Sequence, residues 1–525
     1  MSSQQSLNPN RATPHVLKLS PTGAISRVNG TILRLFSKVK KKQTDGCGSI
    51  LHDNSTGEDH ECVTINSLPN DVLLDIFNHC RLLPFPYGLI GDMWEWHRLT
   101  HVCSRWRYVI FASPHLLDLR LLCTHGTPVR RTLDCWPALP ISIQYGGVVG
   151  RPPPALKDED NIIAALEHPA RTYQIQLSLT RSLFDKLAAL KQQPFPALER
   201  FWLMSDDGGE LSALSSTILC ESAPRLRFLF FDGIPFPMLP KLLLSTKGLV
   251  DLTLVEIPSA GYFSPESLVT SLSGMTQLKM LYIEFASPSS HPNRRSVPPL
   301  RRAVLSTLTQ FRFRGISEYL EDVVAGIDAP ALSYFHVKLF NQPIFDVPQL
   351  HQFIFRAERL RVPSRATLEF CEKDVFFSLV QPAGMDTSGY LSLRIACNPF
   401  DWQVSSITVI CNQSSTLFSR VEELSIYRHL QPAKEDEIGI PEWLEFFRPF
   451  TTVRSLYVSE YLGPLVAHAL EDAADGPVME VLPALRVLRF EDFRESVPVD
   501  KFVTARQLSD QPTLDVCYGD SKWFV

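Results

Sequence analysis

No two cysteines in the 525-residue sequence are spaced C-x-x-C, although eleven run from Cys47 to Cys517. That scatter fits reduced thiols in a reducing compartment better than a disulfide framework. No apolar run approaches the ~18–20 residues that a membrane span requires. The N-terminus has no secretory apolar core either, since residues 2–27 are polar and punctuated by prolines. An excess of positive charge is also missing. The net charge is −5 and the pI about 6.3, so no global basic field points to nucleic acid. These absences predict an intracellular protein, cytoplasmic or nuclear, with no membrane span.

Recognisable catalytic motifs are absent too. There is no G-x-S-x-G, no G-x-x-x-x-G-K, no H-E-x-x-H and no G-x-G-x-x-G. His97 and His101 lie at i and i+4, a spacing that can hold zinc, with Cys103 nearby. Cys103 falls in an apolar stripe, however, and no fourth ligand accompanies it. Asp206-Asp207 and Glu435-Asp436-Glu437 sit in polar stretches, where solvated loops are a simpler account than paired acid–base carboxylates. Arg294-Arg295 and Arg301-Arg302 flank a Ser/Pro-rich loop that could touch an acidic partner or simply be exposed. The expectation is a non-enzyme with no cofactor and no metal site.

What is present is ordinary in bulk. Hydrophobic residues make up 45% and charged residues 20%, as in soluble globular proteins. The length exceeds what one compact core holds and predicts two or more units. Residues 1–60 are rich in Ser, Asn, Gln, Thr and Gly and have the composition of a disordered tail. Within them residues 32–42, from Ile32 to Lys42, form a short basic and apolar patch. Nuclear localisation, attraction to a membrane surface and plain solvation all fit it.

Between Leu68 and Leu117 lie two amphipathic helix signals, about 10 and 15 residues long and too short to stand alone. Leu68-Pro69-Asn70-Asp71 is a helix start, with Pro in the first turn and Asp favouring the macrodipole. Val72, Leu73, Ile76 and Phe77 follow at helical spacing, and Cys80 extends the face until Pro84 and Pro86. The second stripe is Leu99, Val102, Cys103, Trp106, Val109 and Ile110, closed by Ser113-Pro114. The pattern Leu-Pro, Ile-Phe, then Leu-x-x-Val-Cys-x-x-Trp-Arg resembles the F-box family. The residues that carry it are Leu68-Pro69, Val72-Leu73, Ile76-Phe77, Leu99, Val102-Cys103 and Trp106-Arg107. This chain departs from the pattern in a spacer of about twenty residues, 78–97, and in Leu117 where a Trp is common. The resemblance implies that Leu68, Pro69, Val72, Leu73, Ile76, Phe77, Leu99, Val102 and Trp106 form a surface for a Skp-type adaptor hung from a cullin scaffold. The alternative is that both stripes pack only against this chain's own next domain.

From about residue 119 the texture changes to short extended runs alternating with helical ones. The phrase L-x-x-L-x-L recurs with aliphatic or aromatic substitutes. It begins at Leu198, Leu226, Leu249, Leu278, Leu308, Leu332 and Leu350, then again at Val421, Val453 and Leu485. Steps are 28, 23, 29, 30, 24 and 18 residues in the first series and 32 in the second. Pro196, Pro224, Pro330 and Pro483 stand two residues before such starts. One strand and its return helix cannot close a core, but stacked copies bury a continuous seam. The intervening helices are predicted at 211–220, 238–244, 265–272 and 320–327. The interval 363–415 breaks the rhythm, with strands expected near 376–379, 391–396 and 407–410. Leu508 to Val525 would form a cap or tail.

The fold class predicted is α/β: a small helical F-box-like module over 61–118, then an irregular leucine-rich-repeat-like solenoid over 119–507. The irregular spacing, without the usual Asn or Cys at the turn, leaves an ordinary α/β domain open. The function implied is substrate recognition in a cullin-based ubiquitin ligase, with an unknown target protein. A repeat scaffold or recognition protein without ligase coupling is the rival.

Overall fold

The structure is a computed structural model that describes residues 65–81, 99–124, 126–146, 159–189, 194–206, 223–288, 302–342, 347–381, 389–397, 399–428, 440–474, 481–491, 499–509 and 511–519. The chain divides into two units, 1–69 and 70–525. In the first, the described residues hold one 3-10 turn, Ile65–Ser67. The expected tail, the basic patch at 32–42, the predicted helix at 211–220 and Trp523-Phe524-Val525 lie outside the described residues.

The second unit opens with two short helices, α1 (Asn70–Arg81) and α2 (Ser104–Ala112). A single 16-stranded sheet follows. Its first seven strands are β1 (Leu121–Thr124), β2 (Ile141–Tyr145), β3 (Thr172–Leu179), β4 (Arg200–Ser205), β5 (Phe228–Asp232), β6 (Asp251–Ile257) and β7 (Met280–Phe285). Each pairs in parallel with its predecessor. β8 (Ala303–Val304) leaves this sheet and pairs with β10 (Ile327–Asp328), while β9 (Gln310–Gly315) and β11 (Tyr334–Leu339) continue it. Strand after parallel strand, joined by helices, is a solenoid of leucine-rich-repeat type.

The repeat phrase explains the seam. Leu198, Leu226, Leu249, Leu278, Leu308, Leu332, Val421, Val453 and Leu485 are all fully buried, just before their strands. The later apolar positions stack in register: Phe201 on Leu229, Leu229 on Leu252, Leu252 on Leu281, Leu281 on Phe311, and Phe311 on Phe335. The prolines have a specific task. Leu198, Leu226, Leu332 and Leu485 donate their N–H to the carbonyls of Phe195, Ala223, Ala329 and Leu482, at 3.0–3.2 Å. Those four-residue turns place Pro196, Pro224, Pro330 and Pro483 at the second position, where a fixed φ suits the turn.

The predicted break at 363–415 is a three-stranded meander. β12 (Arg365–Phe370), β13 (Asp374–Val380) and β14 (Tyr390–Ala396) lie side by side, β13 antiparallel to both of its neighbours. β14 lies parallel to β11, and β12 parallel to β15 (Glu423–Arg428). Three strands, an odd number, return the chain to its original direction, so the parallel sheet resumes. It continues through β16 (Ser455–Val458), β17 (Val487–Glu491) and β18 (Asp515–Gly519).

Two predicted strands prove to be helices. The copy starting at Leu350 lies in a helix, Pro348–Arg356, and the run 407–410 lies in another, Phe400–Gln413. Leu350, Phe353 and Ile354 are buried at helical spacing, as are Val404, Ile407, Thr408 and Cys411. The predicted helices at 238–244, 265–272 and 320–327 appear as Leu239–Ser245, Pro265–Leu272 and Ser317–Gly326.

Neighbouring repeats also share their capping groups. Glu321, on the helix Ser317–Gly326, accepts from the Gln349 and Leu350 amides at 2.7 Å each. Glu471, on the helix Gly463–Ala473, accepts from Lys501 and Phe502 at 3.0 and 3.4 Å. The receiving helices begin at Val347 and Val499, which have no side-chain cap of their own. The carboxylate therefore meets both the orphan amides and the positive end of the dipole. Arginines do the converse for carbonyls. Arg171 donates to Pro137 and Leu139, Arg356 to Val324 and Ile327, and Arg506 to Leu482, Pro483 and Leu485.

One buried carboxylate gives a pH signature. Glu159 accepts from Thr180 and Ser182 at 3.1 and 2.9 Å and pairs with Lys186 at 3.0 Å. Burial pushes its carboxyl up, but the bonds from Lys186, Ser182 and Thr180 outweigh this and hold it below its ordinary 4.5. A depressed folded value stabilises above the ordinary glutamate pKa, and that contribution disappears as the pH falls through the folded value. Thermal melts of wild type and Glu159→Gln should therefore differ most at neutral pH and converge in acid. A gap that does not shrink would contradict this assignment.

Candidate functional site

Two surfaces have no covering element among the described residues: one edge of the helical module and the sheet face turned away from the repeat helices. In the module, the sequence stripe splits into two edges. Leu73, Phe77 and Trp106 are buried, with the Phe77 and Trp106 ring centroids 4.9 Å apart. Val72 and Ile76 are each 37% exposed and Val102 is 52% exposed, although sequence periodicity groups them with their buried neighbours. Trp106 is buried and Val102 is exposed. Tyr108 and Leu116, absent from the sequence prediction, join the exposed apolar set. Leu68 is half-buried and Pro69 exposed, both in the N-terminal unit, and Leu99 is half-buried.

The second helix is also shorter than predicted. It starts at Ser104, because Cys103 is extended at φ −157° and its Sγ accepts from the Trp106 amide at 3.5 Å. Cys103 is thus a helix cap, and no cluster of metal-ligating side chains occurs among the described residues. Asn70, at the head of α1, receives two bonds from Arg105 of α2, at 2.9 and 3.3 Å. Phe111 meets Trp136 edge-on at 5.7 Å, which attaches the module to the first repeat.

The sheet face carries one row of side chains across every strand. It runs Thr124, Gln144, Gln176, Trp202, Phe230, Thr253, Tyr282, Arg312, His336 and Ser392 before crossing the meander. Trp202 and Phe230 stack at 4.0 Å, leaving the indole partly exposed. Further along, charge dominates. Arg312 lies over the Tyr334 and Tyr282 rings at 5.0 and 5.9 Å, and Tyr334 stacks on Tyr390 at 5.2 Å. In the adjacent row Arg314, Lys338 and Arg394 occupy three successive strands.

Acids compensate one side of this cluster. Arg314 pairs with Glu284 and, at 2.7 Å, with Glu256. Glu256 reaches it from a bulge between Leu254 and Ile257, where its φ is +49°. That left-handed conformation costs a non-glycine residue about 1–2 kcal/mol, and here it turns a carboxylate onto the face. Arg394 has only a long contact of 3.6 Å with Asp374. Arg312 and Lys338 make no ion pair among the described residues. His336 sits between these cations with its Nδ1 2.6 Å from Ser392 Oγ. Burial, then Arg312, Arg394 and Lys338, hold its imidazole below its ordinary value, with Glu284 opposing.

No family model matches the chain, and no curated protein does. Among solved structures, the leucine-rich repeat-containing protein LegL7 from Legionella pneumophila is similar at 10% sequence identity and a TM-score of 0.25. That match covers 74% of this chain and 98% of LegL7.

Three thiols of the solenoid are not poised for chemistry. Burial pushes Cys123 and Cys371 up to about 11 and Cys397 to about 12, leaving little thiolate at neutral pH. No described helix is long and apolar enough to cross a membrane. The apolar periodicity of each copy does not reveal the cation cluster. The signal lies between the apolar positions: Arg312 and Arg314, His336 and Lys338, and Arg394 occupy the alternate, outward positions of their strands.

Proposed function

We propose that this protein is a substrate receptor of a cullin-based ubiquitin ligase, its helical module binding a Skp-type adaptor and its solenoid holding a target protein. The observation that carries the reading is the split stripe. Leu73, Phe77 and Trp106 are buried in the hairpin, while Val72, Ile76, Val102, Tyr108 and Leu116 are exposed among the described residues. Five exposed large apolar side chains in one small module favour a partner over solvent. The resemblance to the F-box pattern supplies the identity of that partner. The chain itself would perform no bond chemistry. Tethering both partners would raise the effective concentration of target lysines near the conjugating enzyme.

The test is co-purification with a Skp adaptor. Val72→Asp, Ile76→Asp and Val102→Asp combined should reduce adaptor recovery about a hundredfold, since a few central residues carry most interface energy. All three side chains are exposed, so the variant should melt close to wild type. Phe77 is unsuitable for such a test because it is buried and its substitution would unfold the hairpin. Undiminished recovery by a folded triple variant would sink adaptor binding and leave a recognition scaffold.

A further inference from the structure

We propose that the sheet face at β9, β11 and β14 docks an acidic segment of a partner protein, its carboxylates seated among Arg312, Lys338 and Arg394. This deepens the reading of the solenoid as the recognition domain and does not depend on adaptor coupling.

Charge complementarity carries the inference. Elsewhere in this solenoid, Arg171, Arg356 and Arg506 each donate to two or three backbone carbonyls, and Arg356 and Arg365 pair with Asp328 and Glu423. Arg312 and Lys338 have no such task among the described residues, and neither pairs with a carboxylate there. The Arg312 guanidinium rests 5.0 Å over the Tyr334 ring, which limits the side-chain freedom to be lost on binding. Arg394 is held similarly, 5.3 Å above Phe376. A guanidinium with its edge free presents a planar fork that matches a carboxylate in shape and charge.

The layout also sets polarity. Glu256 and Glu284 neutralise Arg314 on the β7 side, while the β11 and β14 side keeps its positive charge. β9 and β14 flank β11, and Arg312 and Arg394 are two residues apart in register, so they stand about 12 Å apart across the strands. That span suits two acidic side chains of one peptide segment. The imidazole of His336, at the centre, is depressed first by burial and then by Arg312, Arg394 and Lys338. Nucleic acid fits this surface less well. A phosphodiester backbone is tracked by a continuous run of cations, whereas Glu284, Glu256 and Asp374 border this cluster.

The probe is an immobilised array of Asp- and Glu-containing peptides, each paired with its Asn and Gln counterpart and exposed to the full chain. Wild type should retain the acidic member of the best pairs at least about tenfold over the amide member, with the preference shrinking at high salt. Arg312→Gln with Lys338→Gln should bring the ratio close to one. If that variant melts early, Lys338→Gln alone is read instead, and a severalfold fall in the ratio is expected. The absence of any acidic preference in wild type would overturn the proposal, and so would a preference that survives in the folded variants. Tighter binding of a single-stranded RNA oligonucleotide that displaces the acidic peptides would also overturn it. The adaptor experiment is unaffected by any of these outcomes, so the two readings fail separately.

Discussion

Replacing Trp106 by Ala should destabilise the helical module by about 3–5 kcal/mol, the range for deleting a buried indole or phenyl ring. Trp106 is 3% exposed and packs on Phe77, itself buried together with Leu73, so this one contact joins the inward edges of both helices. The Arg105–Asn70 pair also links the two helices, an exposed hydrogen bond worth much less. Helices of 12 and 9 residues cannot persist without packing. The loss should also be local. Amides in 70–112 should exchange rapidly with solvent while those in β4 to β11 keep their protection, because the solenoid core does not include these helices. Val102→Ala, at a 52% exposed position on the same stripe, should change exchange little. Uniform loss of protection along the sheet after Trp106→Ala would show instead that the module supports the whole chain.

The contrast between Trp106 and Val102 also marks how far the sequence could be followed. Their spacing places both on one apolar stripe, and periodicity alone cannot say that the stripe is wide enough to have an inner and an outer edge. The solenoid was more legible, because its signal is local. Leu198, Leu226 and Leu332 must bury, and the proline two residues earlier closes the turn that buries them. Misreadings came where two periods overlap. Leu350, Phe353 and Phe355 satisfy a strand phrase, but Leu350, Phe353 and Ile354 satisfy a helix, and Glu321 from the preceding repeat caps that helix. Ile407, Thr408 and Ile410 are β-branched and suggested a strand, yet Val404 and Cys411 extend them at helical spacing. The cation cluster needs the register of β9, β11 and β14, and β14 reaches β11 only by the meander. Nothing in the order of the sequence places Arg394 beside Lys338.

At the far end of the sheet, Arg506→Met should weaken the last repeats by about 2–6 kcal/mol, since the Pro483 and Leu485 carbonyls lose its donors at about 1–3 kcal/mol each. Arg506 is 1% exposed and no carboxylate accompanies it; its partners are three carbonyls, at 3.1, 3.3 and 2.7 Å. Methionine keeps the stem and volume but offers the Pro483 and Leu485 carbonyls no donor, whereas the Leu482 carbonyl retains the Leu485 N–H at 3.1 Å. The turn they belong to is already strained, because Leu482 has φ +47°. Leu482→Gly should therefore relieve about 1 kcal/mol through its freedom at positive φ, at the cost of a buried side chain, and should not rescue Arg506→Met. Lysine is no substitute either, since a compact ammonium lacks the fork that spans Leu482, Pro483 and Leu485. In a stack where each repeat rests on its neighbours, the damage should spread inward from β17 and fade with distance. Hydrogen exchange should show β16 to β18 losing protection while β4 to β9 remain unchanged. If protection is lost evenly, the solenoid unfolds as one cooperative block, and Arg506 holds the whole sheet rather than its end.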